Sequence, residues 1–181
     1  MLLQTKDKTQ ELLNTIWCDD YYVVAAGESA PSKSQLNGFA QKFGVKFPKE
    51  YVAHSVNPFG GLYLEVKEEY WPRASVGEVG PFWSFLYGLT TYAFSDEAPD
   101  WMRIDIAASE FKDMGHTVVP ILKVMGDADV YCVNELGDIV RWSHEEDIFE
   151  SFDGGFFDLL SFELKELEDR RVKKVINLSS E

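Results

Sequence analysis

The tightest constraint on the fold lies at 130–142, where VYCVN and DIVRW are joined by ELG. Valine, isoleucine, tyrosine and tryptophan favour extended backbone, and Gly137 can take the left-handed conformation that a short reversal needs. The pattern predicts a β-hairpin. VVPILKVM (118–125) precedes it as another strand, with Pro120 marking an edge position or a bulge, because proline donates no ladder hydrogen bond. Further back, LYLEV (62–66) alternates: Leu62, Leu64 and Val66 on one side, Tyr63 and Glu65 on the other. That is a half-buried strand.

Helical spacing surrounds these strands. Leu12, Leu13, Ile16 and Trp17 form one stripe and predict a helix over 9–17. After the loop GESAPSKS (27–34), Leu36, Phe39, Ala40 and Phe43 repeat at helical intervals, with Ser34 as the expected N-cap and Gly44 as the stop. Pro48 restarts a short helix that turns Tyr51, Val52 and Ser55 inward, and NPFGG (57–61) ends it. Trp101, Ile104, Ala108 and Phe111 space a further helix after Pro99, closed by Gly115, and Phe157, Leu160, Leu164 and Leu167 space the last one. FWSFLYGLTTYAF fits two strands around Gly88 or a broken helix; strands are the preferred reading. HEEDIFESFDGG reads as strand or loop.

No β-α-β alternation occurs, so the expected class is α+β: a mainly antiparallel sheet flanked by helices. One domain over 1–181 suffices for the length, with a core over about 35–167 and a frayed basic-to-polar tail at 170–181. The apolar fraction of 45% supplies that core. Two distant cysteines, Cys18 and Cys132, form no C-x-x-C pair, and MLLQTKDKTQELL lacks the apolar run of a signal peptide. No segment has the length of a membrane span. A cytoplasmic protein without a membrane segment is expected.

The chemistry-bearing residues offer little to an enzyme. Asp127 and Asp129, in GDAD, supply two oxygens where a hard cation needs several, and the rest of a calcium loop is missing. Aspartate before a strand commonly caps a turn, so Asp127 is read as structural and Asp129 as an exposed carboxylate. His54 and His116 have no metal-ligand spacing, and the ligand-rich HEED (144–147) points its neighbours in different directions. Cys132 lies inside a strand pattern, as an inert thiol does. No nucleophile elbow or phosphate loop occurs. A pair of carboxylates for glycoside hydrolysis forms in space and is not testable in sequence. No catalytic residue, metal or cofactor is assigned.

Charge says more. The chain carries 31 acidic against 17 basic residues, a formal charge of −14, which argues against nucleic-acid binding. Ten carboxylates fall between Glu145 and Asp169 with one lysine, Lys165. They form either a solvated face or a surface for a basic protein, with Glu145, Glu146, Asp147, Glu150, Asp153 and Asp129 as the candidate contacts. Trp83, Tyr87 and Tyr92 are read as core, with one or two rings left as potential interface anchors.

Three pieces of the chain, in order, resemble the SUKH superfamily of bacterial immunity proteins and fungal regulators of cell-wall glucan synthesis. They are FGVKFPKEY (43–51) with Pro48 and Tyr51; NPFGG with Asn57, Gly60 and Gly61; and GDADVYCVNELGDIVRW (126–142) with Gly126, Asp127, Gly137 and Trp142. Phe47 stands where leucine is usual, two residues intrude between Asn57 and Gly60, and 67–100 matches nothing in the family pattern. The resemblance implies that the Gly-Asp pair belongs to the scaffold and that the protein is not an enzyme. It implies an immunity protein that neutralises a cognate polymorphic-toxin domain of nuclease type, as in toxin–antitoxin pairs. The alternative it implies is a regulatory or scaffold module for an endogenous protein or small ligand.

Overall fold

Seven strands pair antiparallel in the order in which they occur: β1 (Tyr21–Ala25), β2 (Leu62–Val66), β3 (Gly88–Thr91), β4 (Val119–Met125), β5 (Val130–Val133), β6 (Ile139–Ser143) and β7 (Ile148–Ser151). The structure, a computed structural model, describes residues 2–25 and 27–180, and their side chains except those of 2–7 and 28. Among the described residues, five α-helices complete it: α1 (Leu2–Ile16), α2 (Lys33–Lys42), α3 (Lys49–Ser55), α4 (Ile104–Asp113) and α5 (Phe156–Ser179). The α+β class and the antiparallel sheet are as the patterns predict. None of the described helices is long and apolar enough to cross a membrane.

The alternation of β2 places Leu62, Leu64 and Val66 on one face, each fully buried. Register carries that face through Leu89, Leu122 and Tyr131. It is covered by α5, where Glu163 meets Tyr131 and Glu168 meets Tyr21, and by α3, where His54 meets Thr91; α5 packs in turn on α1 and α3. Phe156 of α5 meets Tyr51 of α3 at 5.2 Å, so the Pro48-Tyr51 turn anchors the last helix to the core. α4 packs on β4 from the other face, where Phe111 meets Trp142 edge-on at 4.9 Å.

Local chemistry sets the ends of these elements. Ser32, not Ser34, caps α2: its hydroxyl accepts the Gln35 N–H, and the Gln35 side chain returns a bond to the Ser32 N–H. α5 starts where Asp158 accepts the Gly155 N–H at 2.8 Å and Glu50, from α3, accepts the Phe157 N–H at 2.9 Å. Gly137 closes the β5–β6 reversal at φ +90°, and a Cβ there would sit 2.9 Å from the Lys46 carbonyl.

Several expectations are corrected. The N-terminal helix spans Leu2–Ile16 instead of 9–17, and Trp17 lies beyond its end, half exposed. β1 was not anticipated at all. The 82–94 stretch holds a 3-10 turn at Phe82–Phe85 and one strand, β3, instead of two strands around Gly88. Trp101 sits in another 3-10 turn (Asp100–Met102), outside the α4 stripe and half exposed. Pro120 lies in an interior strand, where the register slips between Pro120 and Leu122; the bulge reading holds and the edge reading does not.

The 170–181 tail is not frayed over its described length, because α5 continues to Ser179. Its two arginines are held in place. The Arg171 guanidinium forks onto Glu168 at 2.7 and 2.8 Å and reaches Asp20, while Arg170 donates to the Leu86 carbonyl at 3.1 Å.

Candidate functional site

The Gly126–Asp129 turn joins β4 to β5. Gly126, at φ +93°, passes so close to the Phe85 carbonyl that a side chain would collide with it. Asp127 then folds back: Oδ1 accepts the Asp129 N–H at 3.0 Å, an Asx turn. Both carboxylates converge on Arg141, which the β5–β6 register sets opposite Tyr131; each lies 3.1 Å from Nη2. Asp129 Oδ1 also accepts the His144 N–H at 3.0 Å, tying the β6–β7 turn to the same knot.

Asp127 is structural, as read from the sequence. Asp129 is not the exposed carboxylate expected: its side chain is only 24% exposed and already committed to Arg141 and the His144 N–H, so it leaves the contact surface. The pair neutralises an arginine. Among the described residues, no group of three or more His, Cys, Asp or Glu side chains is arranged to hold a metal ion.

Asp147 is a second correction. It adopts φ +52°, and its Oδ1 accepts from Trp142 Nε1 and His116 Nε2, both at 2.8 Å. Those bonds, Trp142's foremost, hold its carboxyl below the usual carboxylate range. This aspartate holds the turn and Trp142 in place. A β-ribbon reversal needing a positive φ at a non-glycine residue favours Asp or Asn there.

What remains is an open acidic margin. Glu145 and Glu146 stand exposed on the β6–β7 turn, Glu150 on β7 and Asp153 just beyond it. None of the four makes an ion pair or side-chain hydrogen bond among the described residues. β7 is the last strand of the sheet, so one edge of its backbone is unpaired and Ile148 is 43% exposed beside it. Carboxylates, a half-exposed isoleucine and free backbone groups therefore share one short edge.

The acids of α5 are mostly spent inside the fold. Glu163 is buried, accepting the Tyr131 hydroxyl at 2.7 Å, and burial pushes its carboxyl up from the ordinary range. Glu168 accepts from Tyr21 and Arg171, Asp158 caps its helix, and Asp169 pairs with Lys165 at 2.8 Å. Of the ten carboxylates between 145 and 169, Asp147 and these four are engaged. The surface is thus smaller than composition implies and lies on β7 instead of α5.

Most of the other singled-out groups are buried or partly buried. His54 is buried between the hydroxyls of Thr9 (3.0 Å) and Thr91 (2.7 Å), and burial drives its pKa down to about 3, so the ring is neutral. Cys132 is fully buried, and burial pushes its thiol up, away from the reactive thiolate. Tyr92 is buried, and Trp83 and Tyr87 pack against the core. Asn57, Gly60 and Gly61 carry the chain from α3 into β2.

Sequence reasoning gave no role to Arg141 or Glu50 and did not foresee that His116 would hold Asp147. The first was recoverable: pairing Val130 with Trp142 sets Arg141 beside Asp-x-Asp in the predicted hairpin. The other two act across long separations and leave no local signal. No protein-family model matches the chain, and no curated protein matches it.

Proposed function

We propose that this protein is a non-enzymatic binding module of the immunity type, which neutralises a basic toxin domain in the cytoplasm of the cell that makes both. The observation that carries the reading is the unpaired margin of Glu145, Glu146, Glu150 and Asp153 along an open sheet edge. Carboxylates left without counterions on a chain of charge −14 attract a cationic surface and speed its approach. In contact, they make charge-assisted hydrogen bonds to arginine and lysine, as a nuclease cleft would offer to nucleic acid. Ile148 and the β7 backbone supply the apolar and main-chain contacts that charge alone does not. The resemblance to the SUKH superfamily supports the same reading. The free thiols of Cys18 and Cys132 suit a reducing compartment.

The test is to seek a toxin-like domain encoded beside this gene and co-express the two, scored by cell survival and by co-purification. Survival with a one-to-one complex is the expected result. Unprotected cells and no complex would reject the immunity role.

A further inference from the structure

Two adjoining cavities lie at the opposite end of the sheet, beside β1. The smaller, about 220 Å³, has largely apolar walls that include Val24, Ala93, Pro99 and Met102. The larger, about 510 Å³, has Phe39 and Phe94 in its lining, edge to face at 5.3 Å. Ser29, Ser95 and Glu97 belong to both.

Charge is distributed unevenly around them. Asp96 and Asp105, in the larger cavity, are taken by Arg103 at 3.3 and 2.7 Å. Lys42 lines that cavity too. Among the described residues, the smaller cavity has one charged residue in its lining, Glu97. Glu97 is steadied from both sides: Oε2 accepts the Ser29 hydroxyl at 3.0 Å, and its N–H donates to Ser95 Oγ at 3.2 Å. It makes no ion pair among the described residues. An apolar slot with one uncompensated carboxylate on its wall is complementary to a group that is aliphatic along its length and cationic at its tip. β1 borders the slot through Val24 and Ala25, and as the first strand of the sheet it has a free outer edge along which an extended chain can lie.

We propose that this slot takes one arginine or lysine side chain of the basic protein partner, its stem against Val24, Ala93 and Met102 and its charged head on Glu97. The proposal rests on the protein-binding reading above and adds a second contact, remote from β7. Two separated contacts on one partner raise avidity through effective concentration without a larger single interface.

The probes are acetyl-Gly-Arg-Gly-amide and acetyl-Gly-Lys-Gly-amide, with the citrulline and norleucine peptides as neutral controls, titrated into the full ¹⁵N-labelled chain. Saturable amide shifts at Ser29, Ser95 and Glu97 are expected, with dissociation constants on the order of millimolar for a single side chain. Glu97→Gln keeps the acceptor for Ser29 and is expected to weaken binding about three- to tenfold. The neutral peptides should bind several times more weakly than the basic ones, by the same lost charge. Shifts confined to 145–153 would overturn the slot while leaving the immunity reading untouched. Equal binding of charged and neutral peptides, or no saturable shift at all, would also overturn it. Slot binding with no toxin complex in the co-expression test would reject the partner and retain the cation site.

Discussion

Asp127 and Asp129 are separated from Glu145 and Glu146 by a single hairpin, yet the two pairs do opposite work. The first pair closes on Arg141 and stitches the β4–β5 turn to β6 and to the β6–β7 turn. The second stands in solvent without a partner among the described residues. Their residue chemistry is nearly the same; the difference is whether the register delivers a cation. The contrast separates carboxylates that hold the fold from carboxylates free to meet another molecule, which composition alone cannot do.

Four expected outcomes test that contrast. The largest concerns Trp142, whose ring packs on Phe111 and whose indole N–H holds Asp147. Trp142→Ala should cost about 3–5 kcal/mol in urea unfolding, from the cavity and the lost bond together. A loss under 1 kcal/mol would mean that the closed region is not a structural unit. Arg141→Ala leaves two carboxylates facing each other with little water. Because the guanidinium is 41% exposed, about 1–2 kcal/mol is expected. Adding Asp127→Asn and Asp129→Asn to that variant should recover part of the loss, and a double-mutant cycle without coupling would contradict the knot.

pH supplies the third. Asp147 has a depressed folded pKa, so its contribution is fully present above the unfolded carboxylate pKa and is lost as pH falls through the folded value. Glu163 is raised instead, so the fold gains as pH falls through its folded value toward the unfolded one. Glu163→Gln, which keeps an acceptor for Tyr131, should therefore raise the urea midpoint at pH 7. That gain should vanish at acidic pH; a pH-independent effect would exclude a charge origin. The smallest effect on stability belongs to the open pair. Glu145→Lys, Glu146→Lys and Glu150→Lys together should change unfolding by no more than about 0.5 kcal/mol. The same triple should slow association with the basic partner by roughly tenfold at low salt, and less at high salt. An unchanged rate would move the contact away from β7.

The same distinction explains what was legible in the sequence. β2, the β5–β6 hairpin and the buried face of α2 were readable because their periodicity is local and a single core face dictates it. β1 escaped because Tyr22 and Val24, on its open face, are as apolar in type as the buried Tyr21. The 82–87 aromatics resisted because their conformation depends on remote groups: Lys173 lies 4.2 Å over the Trp83 ring, and Trp71 Nε1 donates to the Ser84 carbonyl. The last turns of α5 looked like a tail because Asp20 and the Leu86 carbonyl, which hold Arg171 and Arg170, are far away in sequence. The acidic surface was visible as a count but not as a place, since pairing with Arg141, Trp142, Tyr131 or Lys165 is what subtracts from it.

The order of the sheet has a consequence for how the molecule is made. Each strand pairs with its immediate predecessor, so a chain emerging from the ribosome can add strands one at a time, with every new partner already waiting. The covering of the buried face follows another clock. Tyr21 and Tyr131 find their carboxylates on α5, and α1 finds its packing partner there as well. Until those 24 residues are synthesised, the nascent sheet has its strands, and α3 beside Thr91, but lacks the helix that meets Tyr21 and Tyr131. Translation that stalls before α5 would therefore leave a chain with its strand order complete and part of its apolar face bare, a natural client for chaperones.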